Sequence, residues 1–230
     1  MKVVTIIQAR TNSSRLPNKV LIDIYGKTLL ERVIGQAKKI KNIDEVWVAT
    51  SSQDQDDLIE WLCDRIGVNC YRGDLEDVRS RYYDIGKKQN ADILVRITAD
   101  NPFTEPSYAE DLINFLKEDR TGYDYVRMDR SKVPDGTYSE VFTMDALEKS
   151  IENYYDTENK EHVTPAMIGD MKMKELIPSD EDLIARKPYF VGVDTFADLK
   201  HATLLYKHFG EKDTLKQIIN KVNKYGNAIQ

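Results

Sequence analysis

Val3-Val4-Thr5-Ile6-Ile7, followed by Gln8-Ala9-Arg10-Thr11-Asn12-Ser13-Ser14-Arg15-Leu16-Pro17-Asn18-Lys19, decides how the rest of the chain is read. The opening residues form an uninterrupted apolar run, the pattern of a strand buried on both faces. The polar stretch holds the cations Arg10, Arg15 and Lys19 and the hydroxyls of Thr11, Ser13 and Ser14, with no acid among them. Beyond it, Leu29, Leu30, Val33, Ile34, Ala37 and Ile40 recur at helical spacing on one stripe. A buried strand, a basic loop and an amphipathic helix in that order make the first unit of an α/β fold.

The same beat continues. Glu45–Thr50 reads as the next strand and 53–66 as a helix with Leu58, Ile59, Leu62 and Ile66 inward. A short strand at 68–71, a helix at 75–90 and a strand at 92–98 follow. This alternation predicts a mostly parallel sheet covered by helices on both sides. Ligands in such sheets bind beyond the carboxyl ends of the strands, so the residues after Ile7, Thr50 and Ile97 are the ones to inspect. After about residue 120 the rhythm changes. Strands are expected at 123–128 and 138–142 around a Pro134-Asp135-Gly136 turn, then a helix at 143–153 and an irregular polar stretch. Further strands are expected at 171–177 and 189–193. Thr195 and Asp198 form a capping box for a helix over 196–209, and 213–225 reads as a last helix. With no internal repeat and no Gly, Ser or Pro-rich linker, one domain spanning 1–230 is expected, with a β-rich arm inserted at about 123–180.

Composition narrows the class of function. Hydrophobic residues make up 41% of the 230 residues, enough for a sizeable core, and no apolar run approaches the roughly 18 residues of a membrane span. The start lacks the long apolar stretch and cleavage site of a secretory signal, so a cytoplasmic protein is expected. Cys63 and Cys70 make neither a disulfide framework nor a zinc site. The net charge of −6 argues against a nucleic-acid partner, which usually meets a basic surplus. Yet residues 1–20 carry Lys2, Arg10, Arg15 and Lys19 and no acid, which invites one anionic ligand at one place.

The chemistry of that loop is that of a polyphosphate clamp. Arginine forks bind phosphate oxygens in pairs, lysine supplies a point charge, and hydroxyls and backbone N–H groups fill the remaining positions. It contains neither a Walker A sequence nor a GxGxxG turn. Charge and position leave a solvated basic loop as the other reading.

The stretch QARTNSSRLPNKVLIDIYGKTLLERVI resembles the N-terminal signature of the cytidylyltransferase family, A-R-x-G-S-[ST]-R-L-P-x-K-x-L followed by G-K-P-L. The segments VWVATSSQDQDDLI, YRGDLEDVRSRYYDIGKKQNADILVRITADNPF, PDGTYSEVF, EHVTPAM and VGVDTFADL extend the likeness over about residues 3–200. Within that family, which includes the synthetases that activate octulosonate and sialic acids as CMP-sugars, the later segments are most similar to the spore coat polysaccharide biosynthesis protein F group. The resemblance implies a three-layer α/β/α, GT-A-like fold and transfer of a cytidylyl group from CTP, with release of pyrophosphate. The acceptor it implies is a sugar acid or a sugar or polyol phosphate destined for surface polysaccharide or glycan. It assigns Arg10, Ser13, Arg15 and Lys19 to the triphosphate, and Gln8 and Ala9 to framing the base. Arg72 and Asp74 are nucleotide-binding by the same likeness; Thr50 and Ser51, which follow the second strand, could contact the base or ribose or equally cap the helix expected from Gln53. Asp100 and Asp194, each at a strand end, correspond to ligands of Mg²⁺; read alone, Asp100 could sit in a turn and Asp194 could cap a helix. Tyr138, Glu140, Glu161 and His162 fall where the family builds its acceptor site and a dimer arm, so a homodimer is expected. The family pattern has Gly-Ser where this chain has Asn12-Ser13, a place where a left-handed backbone is tolerated by Asn. Arg96, a charge inside a strand, is expected to form an ion pair. A different nucleoside triphosphate, or a non-catalytic nucleotide or sugar-phosphate binding module, are the alternatives. Asp100 and Asp194 favour catalysis.

Overall fold

Alternation along the first strand, β1 (Val3–Gln8), sorts the molecule into two packed faces. Val3 and Ile7 enter one apolar cluster while Val4 and Ile6 enter the other, and all four are fully buried. Removing each such side chain from water is worth about 1.5–3 kcal/mol. The structure, a computed structural model, describes residues 1–118, 122–212 and 214–226.

From β1 the chain runs through α1 (Leu29–Ala37), β2 (Glu45–Ser51), α2 (Asp57–Arg65), β3 (Asn69–Gly73), α3 (Val78–Gln89) and β4 (Ile93–Thr98). These four strands are mutually parallel, in the order β3-β2-β1-β4. The chain therefore winds outward to β3 and returns to the other side of β1, and the crevice between β1 and β4 is the switch point at which such sheets bind ligands. Two of the helices between these strands carry their own start signal. Thr28 and Glu31 form a capping box at α1, and Asp77 caps α3 by accepting from Ser80 N at 2.8 Å. The helix read over 53–66 opens instead with a short 3₁₀ turn at Asp54–Asp56, and Leu58, expected inward, is 58% exposed.

The second half contributes α4 (Pro106–Glu118), β5 (Tyr125–Met128), β6 (Glu140–Thr143), α5 (Met144–Asn153), α6 (Thr157–His162), α7 (Pro165–Asp170), β7 (Met173–Leu176), α8 (Phe196–Phe209) and α9 (Thr214–Tyr225). Strands β6, β5 and β7 continue the same sheet beyond β4, giving seven strands among the described residues in the order β3-β2-β1-β4-β6-β5-β7. Only β6 runs against the rest. The β-rich segment expected as an insertion at 123–180 is thus woven into the main sheet, and the part of it that leaves the sheet is helical, as α6 and α7. Helix α4 was not read from the sequence. The strand expected at 189–193 is extended chain with a single bridge, Asp135 to Phe190, because it crosses the Pro134–Gly136 turn instead of pairing along a strand. Gly136 has φ +89°, and a Cβ there would stand 2.4 Å from the Gly192 nitrogen. The last helix begins at Thr214, and Asp213, its expected first residue, lies outside the described residues.

One face of the sheet is covered by α1, α2, α4, α8 and α9, the other by α3, α5 and α7. The result is a three-layer α/β/α fold. No helix among the described residues is long and apolar enough to cross a membrane.

Candidate active site

The loop after β1 is held open by a buried acid that the sequence reading passed over. Asp56, fully buried at the foot of α2, accepts from Thr11 N at 2.8 Å and Thr11 Oγ1 at 2.6 Å, while its other oxygen accepts from the Ser51 hydroxyl. Burial would raise its pKa, but these donors hold it below the ordinary carboxylate value. Further turns are set by Asn18 N and Ser13 N, each donating to Thr11 O at 2.9 Å. The left-handed residue of the loop is Asn18, at φ 56°, and not Asn12.

Two other strand ends meet this loop. Ala99 N donates to Gln8 O at 3.0 Å, which brings the Thr98–Asp100 segment against β1. Val193 N donates to Asp100 O at 2.8 Å, which seats Asp194 beside Asp100. Neither acid is consumed by a local role. Asn101 holds the turn through Thr98 Oγ1, and α8 is capped by the Thr195–Asp198 box. Both carboxylates face Lys19 instead, whose Nζ lies 3.1 Å from Asp100 Oδ2, 2.9 Å from Asp194 Oδ1 and 3.0 Å from Val193 O. Arg15 Nη2 reaches the same Asp194 oxygen at 2.9 Å. Arg10 crosses to α6 and pairs with Glu161 at 3.0 Å.

These groups line a cleft of about 550 Å³ at the carboxyl ends of β1 and β4. Gln8, Ala9, Arg10, Ser13, Arg15, Lys19, Asp100, Asp194, Glu161 and His162, all expected from the sequence, border it. Thr50, Ser51, Arg72, Asp74, Tyr138 and Glu140 do not border it. Thr50 and Ser51 are fully buried, with Ser51 spent on Asp56 and on the turn at Gln53. Arg72 is tied to Ser51 O, Gln53 O, Asp57 and Glu60, and those acids outweigh desolvation and raise its pKa. Asp74 accepts from Glu76 N and Asp77 N and closes a turn. Tyr138 bonds Asp135 at 3.0 Å and lies under the Arg130 guanidinium.

Glu140 is the clearest correction. It is 4% exposed and sits across the β4–β6 ladder from Arg96, the strand charge expected to need a partner. It pairs with Arg96 and accepts from Tyr125 and Thr164 hydroxyls. Burial pushes its carboxyl up, yet the Arg96 guanidinium and these donors hold it below the usual carboxylate range. Through Thr164 it also anchors the turn after α6. There Val163 has φ 68°, and Thr164 N donates to His162 O at 2.8 Å. A β-branched residue in that region costs about 1–3 kcal/mol and persists only where packing imposes it. Full burial of Val163 does so, and holds Glu161 and His162 at the cleft. Besides Asp56, the sequence reading left Arg81 and Val78, both lining the cleft from α3, without a role in the site. The acid just after a strand and the match running on through Arg81 were the signals available.

A cleft of about 550 Å³ with cations on one loop, two carboxylates at its rim and a three-layer sheet behind it suits a nucleotidyltransferase. The chain belongs to the cytidylyltransferase family, whose profile matches residues 4–212. It is 36% identical to the Uncharacterized protein MJ1063 of Methanocaldococcus jannaschii, over 97% of this chain and 91% of that one. It is 26% identical to the spore coat polysaccharide biosynthesis protein SpsF of Bacillus subtilis, over 98% and 96%. A solved cytidylyltransferase from Leptospira borgpetersenii superposes with a TM-score of 0.89 at 26% identity, covering 100% of this chain and 97% of that one.

Proposed function

We propose that the protein transfers a cytidylyl group from CTP to a sugar acid or to a sugar or polyol phosphate, releasing pyrophosphate, in the assembly of a surface polysaccharide or glycan. The observation that carries this reading is the convergence of Asp100 and Asp194 on the Lys19 ammonium at the mouth of the cationic loop. One positive charge already bridges the two carboxylates, so their oxygens can share a cation. Hard carboxylate oxygens of this kind suit Mg²⁺, which takes one or two from protein and the rest from phosphates and water.

Arg10, Ser13, Arg15 and Lys19 bind the triphosphate, and the acceptor enters from the side of Glu161 and His162. An acceptor oxygen, a phosphate oxyanion or a hydroxyl that gives its proton to solvent, attacks the α-phosphorus in line; the bond from the α-phosphorus to the bridging oxygen breaks and pyrophosphate leaves with the electron pair. Asp100 and Asp194 would hold Mg²⁺, which neutralises charge on the phosphates. Lys19 and Arg15 stabilise the charge that grows on the leaving pyrophosphate, so positioning and electrostatics do the catalysis and no protein nucleophile is required. The exposed Tyr155 beside α6 suits a subunit contact, and the same reading takes the protein to be a homodimer.

The test is pyrophosphate release from CTP and Mg²⁺ with a panel of sugar acids and sugar or polyol phosphates. One acceptor should give a CMP- or CDP-linked product identified by mass spectrometry, and Arg15→Ala should lower turnover by about 10²-fold or more without changing Tm. No pyrophosphate with any acceptor would refute the reading.

A further inference from the structure

Every donor of one loop cation is spent on the rim of the cleft. An ammonium carries three hydrogens, and those of Lys19 meet three acceptors: Asp100 Oδ2 at 3.1 Å, Val193 O at 3.0 Å and Asp194 Oδ1 at 2.9 Å. The Lys19 side chain is 12% exposed, so water replaces these acceptors only in part. The backbone that carries it is fixed on both sides. Asn18 N donates to Thr11 O, Leu21 N donates to Asn18 O, and Val20 is buried. The flexible four-carbon stem is what can move the charge. Ser13 and Arg15, taken above to bind the triphosphate, line the same cleft, so a bound polyphosphate offers the ammonium a second set of oxygens. Arg15 Nη2 adds a further positive charge at the same Asp194 oxygen.

We propose that Lys19 takes the place of a divalent cation between Asp100 and Asp194 until a polyphosphate draws the ammonium off, so that this one side chain couples metal binding to nucleotide binding. The inference rests on the cytidylyltransferase reading above. Mg²⁺ approaches its oxygens to about 2.0–2.1 Å. An ammonium bonded to the same two carboxylates repels a second cation and blocks that approach. Were metal to bind alone, Lys19 would lose its acceptors and keep a charge that water solvates only in part. When a polyphosphate binds as well, Lys19 exchanges carboxylate for phosphate oxygens, and every charge keeps a partner. Each ligand then favours the other, and linkage makes the effect equal in both directions. Arg10 stands outside this exchange, because its partner is Glu161 on α6.

The experiment titrates the full chain with Mn²⁺ alone, followed by calorimetry and by the electron paramagnetic resonance signal of the free ion. Lys19→Met should bind Mn²⁺ about 5- to 150-fold more tightly than the unaltered protein. Lys19→Arg, which keeps the charge, should bind it as weakly as the unaltered protein does. Arg10→Met, which removes a loop cation that faces another acid, should tighten binding far less than Lys19→Met. Adding Asp100→Asn to Lys19→Met should abolish the gain, which places the ion on the rim acids. The reciprocal arm measures CTP binding in excess chelator. There Asp194→Asn, which releases Lys19 and Arg15, should bind metal-free CTP more tightly than the unaltered protein. This second arm keeps the test valid should Lys19→Met fail to fold, as judged by its Tm. Unchanged Mn²⁺ affinity in folded Lys19→Met, equal tightening by Lys19→Arg or Arg10→Met, or a gain retained by the double variant would overturn the inference while leaving cytidylyl transfer intact. So would metal-free CTP binding that is unchanged or weaker in folded Asp194→Asn. Failure of the unaltered protein to bind CTP with metal present would instead refute the underlying reading.

Discussion

Two ion clusters lie four residues apart on one stretch of chain, Arg96 within β4 and Asp100 just beyond its end, and they have opposite fates. At the rim, Lys19 bridges Asp100 and Asp194, whose side chains are about a third exposed. Inside, Arg96 faces Glu140, whose side chain is 5% exposed and further bonded by Tyr125 and Thr164. Both are carboxylates against a cation. What differs is water. Glu140 in the inner pair is desolvated and bonded on both oxygens, so removing one partner strands a buried charge. The rim cluster keeps solvent at hand, so its members can exchange one another for phosphate oxygens and a metal ion at little cost. Charge type alone therefore does not mark a site, whereas charge with an open side does.

Three substitutions would break or sharpen this contrast. Glu140→Ala should have the largest effect, destabilising the fold by about 3–5 kcal/mol, read as a lower denaturant midpoint. A protein of unchanged stability that has lost acceptor binding would show Glu140 to be functional after all. Lys19→Met should do the reverse, lowering kcat by about 10²–10³-fold with only a small change in Tm. Large destabilisation by that variant would erase the distinction between the clusters. Gly136→Ala should be the mildest, costing about 1–3 kcal/mol because the residue has positive φ and its Cβ would meet the Gly192 backbone. It should lower Tm and reduce turnover less than Lys19→Met does, since it disturbs the strap that carries Asp194 without removing any charge.

Much of this was open to reading in the chain itself. The apolar run of β1, the stripe on α1, the Thr195–Asp198 box and the acid-free loop are local patterns, and each appears in the structure where its pattern predicted. Arg96 was expected to need a partner and has one. Other features depended on distant residues. Helix α4 and the two short helices after α5 were not anticipated, and the extended chain at 189–193 was taken for a strand because its composition alone suits one. Ser51 and Arg72 lie at strand ends, where ligand contacts are expected, yet Asp56 engages Ser51, and Asp57 and Glu60 of α2 engage Arg72. The chain contains all these acids, but not the direction in which they point.

Local sequence by itself determined the mostly parallel α/β/α class, the placement of the cationic loop at a strand end and membership of the family. Those depend on periodicity, turn chemistry and a motif, which act over a few residues. Only the tertiary structure decided which acids face the loop, and that Glu140 is sealed while Asp100 and Asp194 are open. Each of these depends on burial and on partners some tens of residues or more away in the chain, and burial is a property of the packed molecule.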